Sequence, residues 1–339
     1  MILRDFYIGG TGVRIPPSVP VSEAVAAGLY PAQDHAETQL KSIAVADEGF
    51  PAEMAVEAAR DAILASSHDA GDIALTLYSY INNQGLPGWH SGAYVHRFAV
   101  GGATPVVEVN QRSNGGLASL EIAAAHLEAR GGPAALLATG DRFGDLVGGR
   151  WNYDGGLVPG DGATALVLSR ERGFARLLSL VTAFDSSLEE VHRGDAVYVG
   201  QSDVEAAPPF RQRKREYLAR YGVQDTTGRF AAGAGAAITG ALDEAGLDTK
   251  EIDHWVLPFI GMQELRQYYL GPLDIPVEST LWDWGRTVGH LGAGDQIAGL
   301  HWLRTRRRAV PGQTVMLMGV GVGFSWSCAV LRIEDADRP

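Results

Sequence analysis

The chain has 339 residues, 46% of them hydrophobic and 20% charged, which is apolar material enough for two domains or one large double core. Its net charge of −12 argues against broad, non-specific binding to nucleic acid or to an anionic membrane, because neutralising phosphate needs a surplus of Lys and Arg. A single cysteine, Cys328, excludes an intramolecular disulfide and a cysteine-built metal cage and fits a reducing cytoplasm. The histidines show no metal-ligand spacing, so no metal is expected, and the start has neither a secretory h-region nor a transmembrane run.

In chain order, Leu3 to Gly9 reads as a strand that breaks into the glycine turn Gly9-Gly10-Thr11-Gly12. Residues 14 to 50 are irregular and Pro-containing, with a short helix around Val21 to Ala27. Ala52 to Ala65 has Ala and Ile at helical spacing, followed by a strand from Ile73 to Tyr78 and a Gly/Asn/Pro-rich loop. A second helix leads to the β-branched strand Val106 to Val109 and the tight polar turn Asn110 to Arg112. Ser113-Asn114-Gly115-Gly116 then opens an Ala/Leu-rich helix in which Leu117, Leu120, Ala124 and Leu127 recur on one face, so that face is expected to be buried. Ser113 is thereby fixed at or just before a helix amino end. Unpaired N–H groups and the helix dipole favour developing negative charge there, and the two glycines let an acyl group or another strand approach closely. Taken alone, a serine in that position also reads as a simple N-cap. Further on, Pro133 to Thr139 is a buried strand ending in Gly140-Asp141, residues 150 to 159 form a loop, and Gly160-Asp161-Gly162 opens the strand Ala163 to Leu168.

The second half repeats this order. Residues 52 to 79 run Ala-rich helix, Asp-containing turn, Asp-Ile and strand, and residues 230 to 259 have the same parts in sequence. Ala134 to Leu168 likewise has a counterpart in Thr314 to Ile333, a strand, a glycine loop and a strand. Alternating strands and helices imply sheets covered by helices, and two such halves packed together predict an α/β sandwich of five layers, αβαβα.

These features resemble the thiolase superfamily, and within it the ketoacyl-ACP synthase III-like enzymes, over nearly the whole chain. The resemblance rests on the strand-to-helix corner with its nucleophile, on Gly160-Asp161-Gly162-Ala163, Val256-Leu257-Pro258 and Gly285 to Gly289, and on Gly321-Val322-Gly323-Phe324-Ser325-Trp326. It implies a thiolase fold of duplicated halves, residues 1–170 with the nucleophile corner and 171–339 with a His/Asp loop and an oxyanion glycine loop. It also implies a homodimer, no cofactor, and an acyl donor on CoA or on a phosphopantetheinyl acyl carrier protein, with the acyl group carried by the corner residue at the base of a pantetheine tunnel.

The departures from that family are specific. Its nucleophilic Cys aligns with Ser113, its His after Val-Pro with Phe259, and its Asn in the Gly-Asn-Thr-Ser run with Arg286. A decarboxylating condensation needs that His and Asn to hold a carbonyl as carbanion character develops, and phenylalanine cannot do so. Gly289-His290-Leu291-Gly292-Ala293-Gly294-Asp295 resembles instead the acyltransferase branch found in antibiotic and aromatic polyketide pathways, in which a His and an Asp five residues on complete a triad with the corner nucleophile. A serine hydroxyl needs such a base, His290, and a carboxylate, Asp295, to fix the base's tautomer. By the same resemblance the backbone N–H groups of Ser113 and Val322 form the oxyanion hole, and Phe259, Arg286, Arg150 and Trp151 lie at substrate-binding positions. Tunnel-lining candidates are Phe210, Tyr217, Leu157 and Met262. Two basic runs, Arg211 to Arg215 and Arg304 to Arg308, are candidates for docking an acidic carrier protein. The glycines of residues 231 to 240 belong to an Ala/Gly helix and are packing residues.

The function expected is acyl transfer from a carrier-protein or CoA thioester, through an acyl-enzyme at Ser113, to a small-molecule hydroxyl acceptor. The alternatives are a starter-unit ketosynthase that still forms a carbon–carbon bond, or a non-catalytic homologue that only binds a carrier protein.

Overall fold

The computed structural model describes residues 5–146, 149–195 and 208–335, so Leu3, the expected start of the first strand, lies outside the described residues. The strands are β1 (Tyr7–Arg14), β2 (Ser18–Pro20), β3 (Ser42–Ala44), β4 (Ile73–Ser79), β5 (Val106–Val109), β6 (Ala134–Asp141), β7 (Gly162–Ser169), β8 (Ala175–Phe184), β9 (His254–Val256), β10 (Thr314–Gly321) and β11 (Ser325–Ile333). Nine of them are hydrogen-bonded in the order β5-β4-β6-β7-β1-β8-β11-β10-β9, and β2 and β3 form a separate two-stranded ribbon.

The order shows the duplication. In the first half β4 is parallel to β6, which turns back antiparallel onto β7; in the second, β9 is parallel to β10, which turns back onto β11. The halves meet where β1 and β8 pair through Tyr7↔Arg176 and Ile8↔Ala175. β5 pairs with β4 over four residues, whereas the corresponding pairing beyond β9 is reduced to the bridge Trp255↔Thr280.

Strand side chains sort by parity, as a period of two dictates. Ala134, Leu136 and Ala138 of β6 pack outward against the Pro51–Leu64 and Ser91–Ala99 helices, while Ala135 and Leu137 face inward. Met316, Met318 and Cys328 of β10 and β11 pack outward against the Val223–Ala245 helix, while Val315, Leu317 and Ala329 face inward. Between the two inward faces lie the Gly115–Arg130 and Asp295–Thr305 helices, so the layers run helix, sheet, helix, sheet, helix. Each Leu fully buried against the middle layer, such as Leu137 of β6 or Leu317 of β10, contributes about 2 kcal/mol through its apolar surface.

Within residues 14 to 50, expected to be irregular but for one short helix, the structure also has β2, β3 and a helix at Ala32–Thr38, and two strands of the large sheet differ from the sequence expectation. β1 does not break at its glycines but runs through them to Arg14. The Pro51–Leu64 helix lies directly on that strand: a Cβ at Gly12 would fall on the Ala58 carbonyl oxygen, and one at Gly10 would come within 2.8 Å of the Ser66 nitrogen. These glycines are there for closeness and not for a turn. β8, which the sequence reading did not assign, is the strand that joins the second half to the first. Gly233 of the Val223–Ala245 helix has the same use, since a Cβ there would lie 2.4 Å from the Trp326 ring. Among the described residues, no helix is long and apolar enough to cross a membrane.

The two middle helices begin against each other. A Cβ at Gly116 would stand 2.6 Å from the Ala293 carbonyl oxygen, and one at Gly115 would stand 2.8 Å from the Ser79 Cβ. Their amino ends therefore converge on one point, and the site is built around it.

Candidate active site

On the first helix's side, β5 ends at Val109 and a single 3-10 turn, Arg112–Asn114, precedes the helix. Arg112 takes a left-handed conformation with φ 50°, and its Nη1 donates to the Ile81 carbonyl at 3.1 Å. A non-glycine residue held there stores strain of about 1–2 kcal/mol. Asn114 is buried, and its Nδ2 donates to Ser325 Oγ at 3.1 Å and Ser327 Oγ at 2.8 Å, which ties the corner to β11. The helix has no side-chain cap, so the plain N-cap use of Ser113 is not what the structure contains. Ser113 Oγ instead lies 2.8 Å from His290 Nε2.

On the other side, His290 N–H donates to the Val158 carbonyl at 3.0 Å, and the His290 carbonyl accepts from Gly160 N at 2.9 Å. Gly289 and Gly292, with φ 79° and 62°, turn the chain around it. Asp295 is the first residue of its helix and is fully buried. Its Oδ2 accepts from His290 Nδ1 at 2.7 Å and from Phe259 N at 2.8 Å, and its Oδ1 accepts from Leu291 N at 2.7 Å. Because the carboxylate can only accept, the neutral imidazole carries its proton on Nδ1, and Nε2 is left to accept from the Ser113 hydroxyl.

Burial opposes charge on His290, but the Asp295 charge and hydrogen bond outweigh it and hold the imidazole above its ordinary pKa, with Asp141 and Asp154 adding to the effect. Asp141, at the end of β6, is pushed up by burial to about 7, although Asn82 N and Ile81 N donate to its Oδ1. Its Oδ2 has no hydrogen-bond partner among the described residues.

Ser113 and His290 line a cavity of about 140 Å³ whose exposed lining is mostly apolar. Val322, expected at the oxyanion hole, also lines it. The loop bearing Val322 presses on the corner: a Cβ at Gly321 would fall on the Gln111 carbonyl and lie 3.1 Å from Asn114 N. Leu157 and Phe210, two of the tunnel candidates, line the cavity, whereas Tyr217 and Met262 are packed in the core.

The four expected substrate-binding side chains are not brought to this cavity. Phe259 is buried with Ala44, Val288, Leu291 and Ala298, its ring edge-on to Trp284 at 5.2 Å, and it contributes to the site only its backbone N–H. Arg286 lies over the Trp282 ring at 5.3 Å and borders a separate shallow depression with His35 and Lys41. Arg150 is consumed by Asp161, 3.0 Å from its Nη2, and by the Pro159 carbonyl. Trp151 packs on Tyr30 with ring centroids 5.6 Å apart.

Of the basic runs, the one on the Phe210–Tyr221 helix is largely engaged: Arg211 donates to both oxygens of Asp34, and Lys214 to both of Asp154. In the other run Arg304 lies over the Phe174 ring, and Arg306, Arg307 and Arg308 are exposed. Sequence reasoning missed Tyr153, Asp154, His192 and Glu264 and took Lys214 for a docking residue, whereas all five line the cavity. They come from four separate stretches of chain, and no local motif joins them.

Comparison with known proteins agrees with this architecture. Residues 242–333 match the family described as 3-oxoacyl-[acyl-carrier-protein] synthase III, C-terminal. The chain is 26% identical to the beta-ketoacyl-[acyl-carrier-protein] synthase III of Rhizorhabdus wittichii, over 97% of this chain and all of that one. The solved structure of 3-oxoacyl-[acyl-carrier-protein] synthase III from Aquifex aeolicus, 18% identical, shares the fold with a TM-score of 0.79 over 96% of this chain and 99% of that one. The structure of ChlB3, named as an acyltransferase, is 33% identical and superimposes with a TM-score of 0.91 over 98% of both chains. A five-layered fold and an identity of this size over almost the full length lead to one conclusion: the chain belongs to the ketoacyl-ACP synthase III-like acyltransferases of the thiolase superfamily.

Proposed function

We propose that the protein moves an acyl group, aromatic or short aliphatic, from an acyl-carrier-protein or CoA thioester through an acyl-enzyme at Ser113 to a hydroxyl acceptor on a sugar, cyclitol or polyketide scaffold in secondary-metabolite biosynthesis. The observation that carries this reading is the hydrogen-bonded chain from Ser113 Oγ through His290 to Asp295, at 2.8 and 2.7 Å, opening on a mostly apolar cavity.

As Ser113 Oγ attacks the thioester carbonyl, its proton passes to His290 Nε2, and the resulting imidazolium is stabilised by Asp295. The carbonyl oxygen becomes an oxyanion held by the Ser113 and Val322 N–H groups, at the end of a helix dipole. Collapse of that intermediate breaks the C–S bond, and the departing thiolate takes the proton from His290. The acceptor hydroxyl then gives its proton to His290 and attacks the acyl-serine carbonyl. Collapse now breaks the bond to Ser113 Oγ, which recovers the proton. The donor's carrier protein and a second copy of this chain are the partners proposed with this reading.

Carbon–carbon bond formation is disfavoured on the same geometry. Phe259 offers no donor side chain to a carbanion, and the Arg286 side chain points to Trp282. The test is intact-protein mass spectrometry with a panel of acyl thioesters. Wild type is expected to gain one acyl mass, Ser113→Ala none, and His290→Ala the same mass at least about 10³-fold more slowly. Labelling that persists in Ser113→Ala, or is indifferent to His290, would overturn the reading.

A further inference from the structure

We propose that the hydroxyl acceptor carries a protonated amine and that Glu264, on the wall of the cavity beside Ser113, binds that ammonium group. The inference deepens the reading above by naming the class of acceptor, and it rests on that reading for the transfer step.

The seat of the carboxyl comes first. Glu264 lies in the short helix Met262–Leu265, and two glycines make room for its side chain. A Cβ at Gly156 would fall on Glu264 Oε1, and one at Gly261 would stand 2.9 Å from Oε2. The glycines are tied to each other, since Gly261 N donates to the Gly156 carbonyl at 2.7 Å, and Gly156 N donates to Asp154 Oδ1 at 3.2 Å. Neither N–H is spent on the carboxyl that the two residues enclose. Glu264 Oε2 is buried and has no hydrogen-bond partner among the described residues. A carboxyl kept only for the fold would take the donors beside it, because a buried oxygen left unpaired is unfavourable.

The charges around this space show what is missing. Lys214 and Asp154 also line the cavity, and Lys214 Nζ lies 2.9 and 3.0 Å from the two Asp154 oxygens. That pair is closed: burial opposes the Asp154 charge, but Lys214 outweighs it and holds the carboxyl below its usual range. Glu264 has no such partner. Burial raises its carboxyl, Asp154 and Glu37 add to the effect, and the favourable field of Lys214 does not overcome them. His192, on the same wall, is pushed down by burial to about 3 and is neutral. One carboxyl is thus left without a counter-ion, and a cation carried by a ligand supplies it.

The surroundings select the kind of cation. Tyr268, one turn on from Glu264, and Phe230 both line the cavity, with their rings 81° apart at 5.9 Å, and Phe324 stands 44° from Phe230 at 4.7 Å. These rings meet at angles and do not lie flat on one another. The Tyr268 phenol also lies within the field of Glu264, Lys214 and Asp154, which places it beside the carboxyls. Aromatic side chains next to a carboxylate are the chemistry that recognises an alkylammonium group. A metal ion would need several converging oxygen donors, and Glu264 stands alone. During transfer the acceptor's hydroxyl attacks the acyl-serine as described above, while its ammonium keeps its proton at Glu264 and takes no part in bond making.

The test pairs 4-(dimethylamino)cyclohexanol, whose tertiary amine is protonated at about pH 7 and cannot be acylated, with its uncharged counterpart 4-isopropylcyclohexanol. Binding of each to the full chain is measured by isothermal titration calorimetry, and discharge of the acyl-enzyme by each is followed by mass spectrometry. In wild type the amino alcohol is expected to bind about tenfold or more tightly than its counterpart, which corresponds to about 1.4 kcal/mol, and to discharge the acyl-enzyme faster. In Glu264→Gln the ratio of the two affinities is expected to fall toward one. Equal binding, or tighter binding of the uncharged alcohol, in wild type would overturn the inference, and so would a ratio unchanged in folded Glu264→Gln. Because binding is read without acylation, a preference for the amine with no acyl-enzyme from any thioester would uphold the ammonium site and overturn the acyl-serine reading instead. The wild-type pair decides even where the variant fails to fold.

Discussion

The two middle helices start from equivalent places in the duplicated halves, each after a 3-10 turn, Arg112–Asn114 in one and Gly292–Gly294 in the other, yet the two corners are built differently. The first holds a non-glycine residue, Arg112, in a left-handed conformation and leaves the Ser113 side chain outside the helix. The second turns on two left-handed glycines and locks the Asp295 carboxylate into the helix's first residue with two backbone N–H donors and one imidazole. A helix amino end favours negative charge. One corner fills that position with the Asp295 side chain; the other keeps it open for charge that appears only while Ser113 reacts. His290 spans the gap between them, and so a duplication of structure becomes a division of labour.

The largest effect expected from breaking this division is Asp295→Asn. An asparagine amide can donate to His290 Nδ1, which would place the imidazole proton on Nε2, facing Ser113. Acylation is expected to slow by about 10⁴-fold in single-turnover mass spectrometry. The side-chain oxygen that remains can serve Phe259 N or Leu291 N but not both well, so thermal unfolding should also register a loss of about 1–3 kcal/mol. Acylation at the wild-type rate would show that the second corner is structural only.

Next in size is Gly292→Ala. Its φ is 62°, and a Cβ there would fall on the Asp141 Oδ2 atom, so strain and overlap act together. A destabilisation of about 2–4 kcal/mol is expected in denaturant unfolding. A neutral outcome would mean that the two corners tolerate side chains equally and that the contrast between them is smaller than the geometry indicates.

The pH dependence of acylation sharpens the comparison further. His290 must be neutral to accept the serine proton, and Asp295 raises its pKa against the opposing effect of burial. The rate should therefore climb with pH through an inflection above the ordinary histidine value of about 6.5. In Asp295→Asn the largest raising influence is gone while burial remains, opposed only by Asp141 and Asp154, so the inflection of the residual activity should move to lower pH. Asp141, pushed up by burial to about 7, titrates in the same range and should broaden the wild-type profile. An inflection that does not move in Asp295→Asn would separate His290 from Asp295.

Both corners were legible in the sequence because each is written in one continuous stretch. Ser113 lies between a β-branched strand and an Ala/Leu helix, and His290 and Asp295 fall within six residues of each other. The five layers were legible for a similar reason, since helix and strand parts recur in the same order. Most of the cavity wall was not legible beyond Leu157 and Phe210, because Tyr153, His192 and Glu264 are brought to it only by the packing of distant loops and helices. Arg150 and Trp151 were placed by family position, but Arg150 is used up by Asp161 and Trp151 by Tyr30. Gly10 and Gly12 read as a turn because local sequence does not reveal that a helix backbone will lie against them.

The smallest effect, and the one that tests the first corner directly, is expected for Arg112→Gly. Glycine relieves the left-handed penalty of about 1–2 kcal/mol but gives up about 0.5–1 kcal/mol through the freedom it adds to the unfolded chain. The Arg112 hydrogen bond to the Ile81 carbonyl, at 3.1 Å and exposed, is also lost, with a typical contribution of about 1 kcal/mol. These terms offset, so unfolding should shift by no more than about 1 kcal/mol in either direction. Asn114 remains tied to Ser325 and Ser327 and continues to hold the corner, so acylation should slow by less than about tenfold. A much larger loss of rate at unchanged stability would assign the aim of the Ser113 hydroxyl to the strained residue before it and not to the anchored residue after it. The first corner would then depend on backbone conformation as fully as the second depends on its carboxylate.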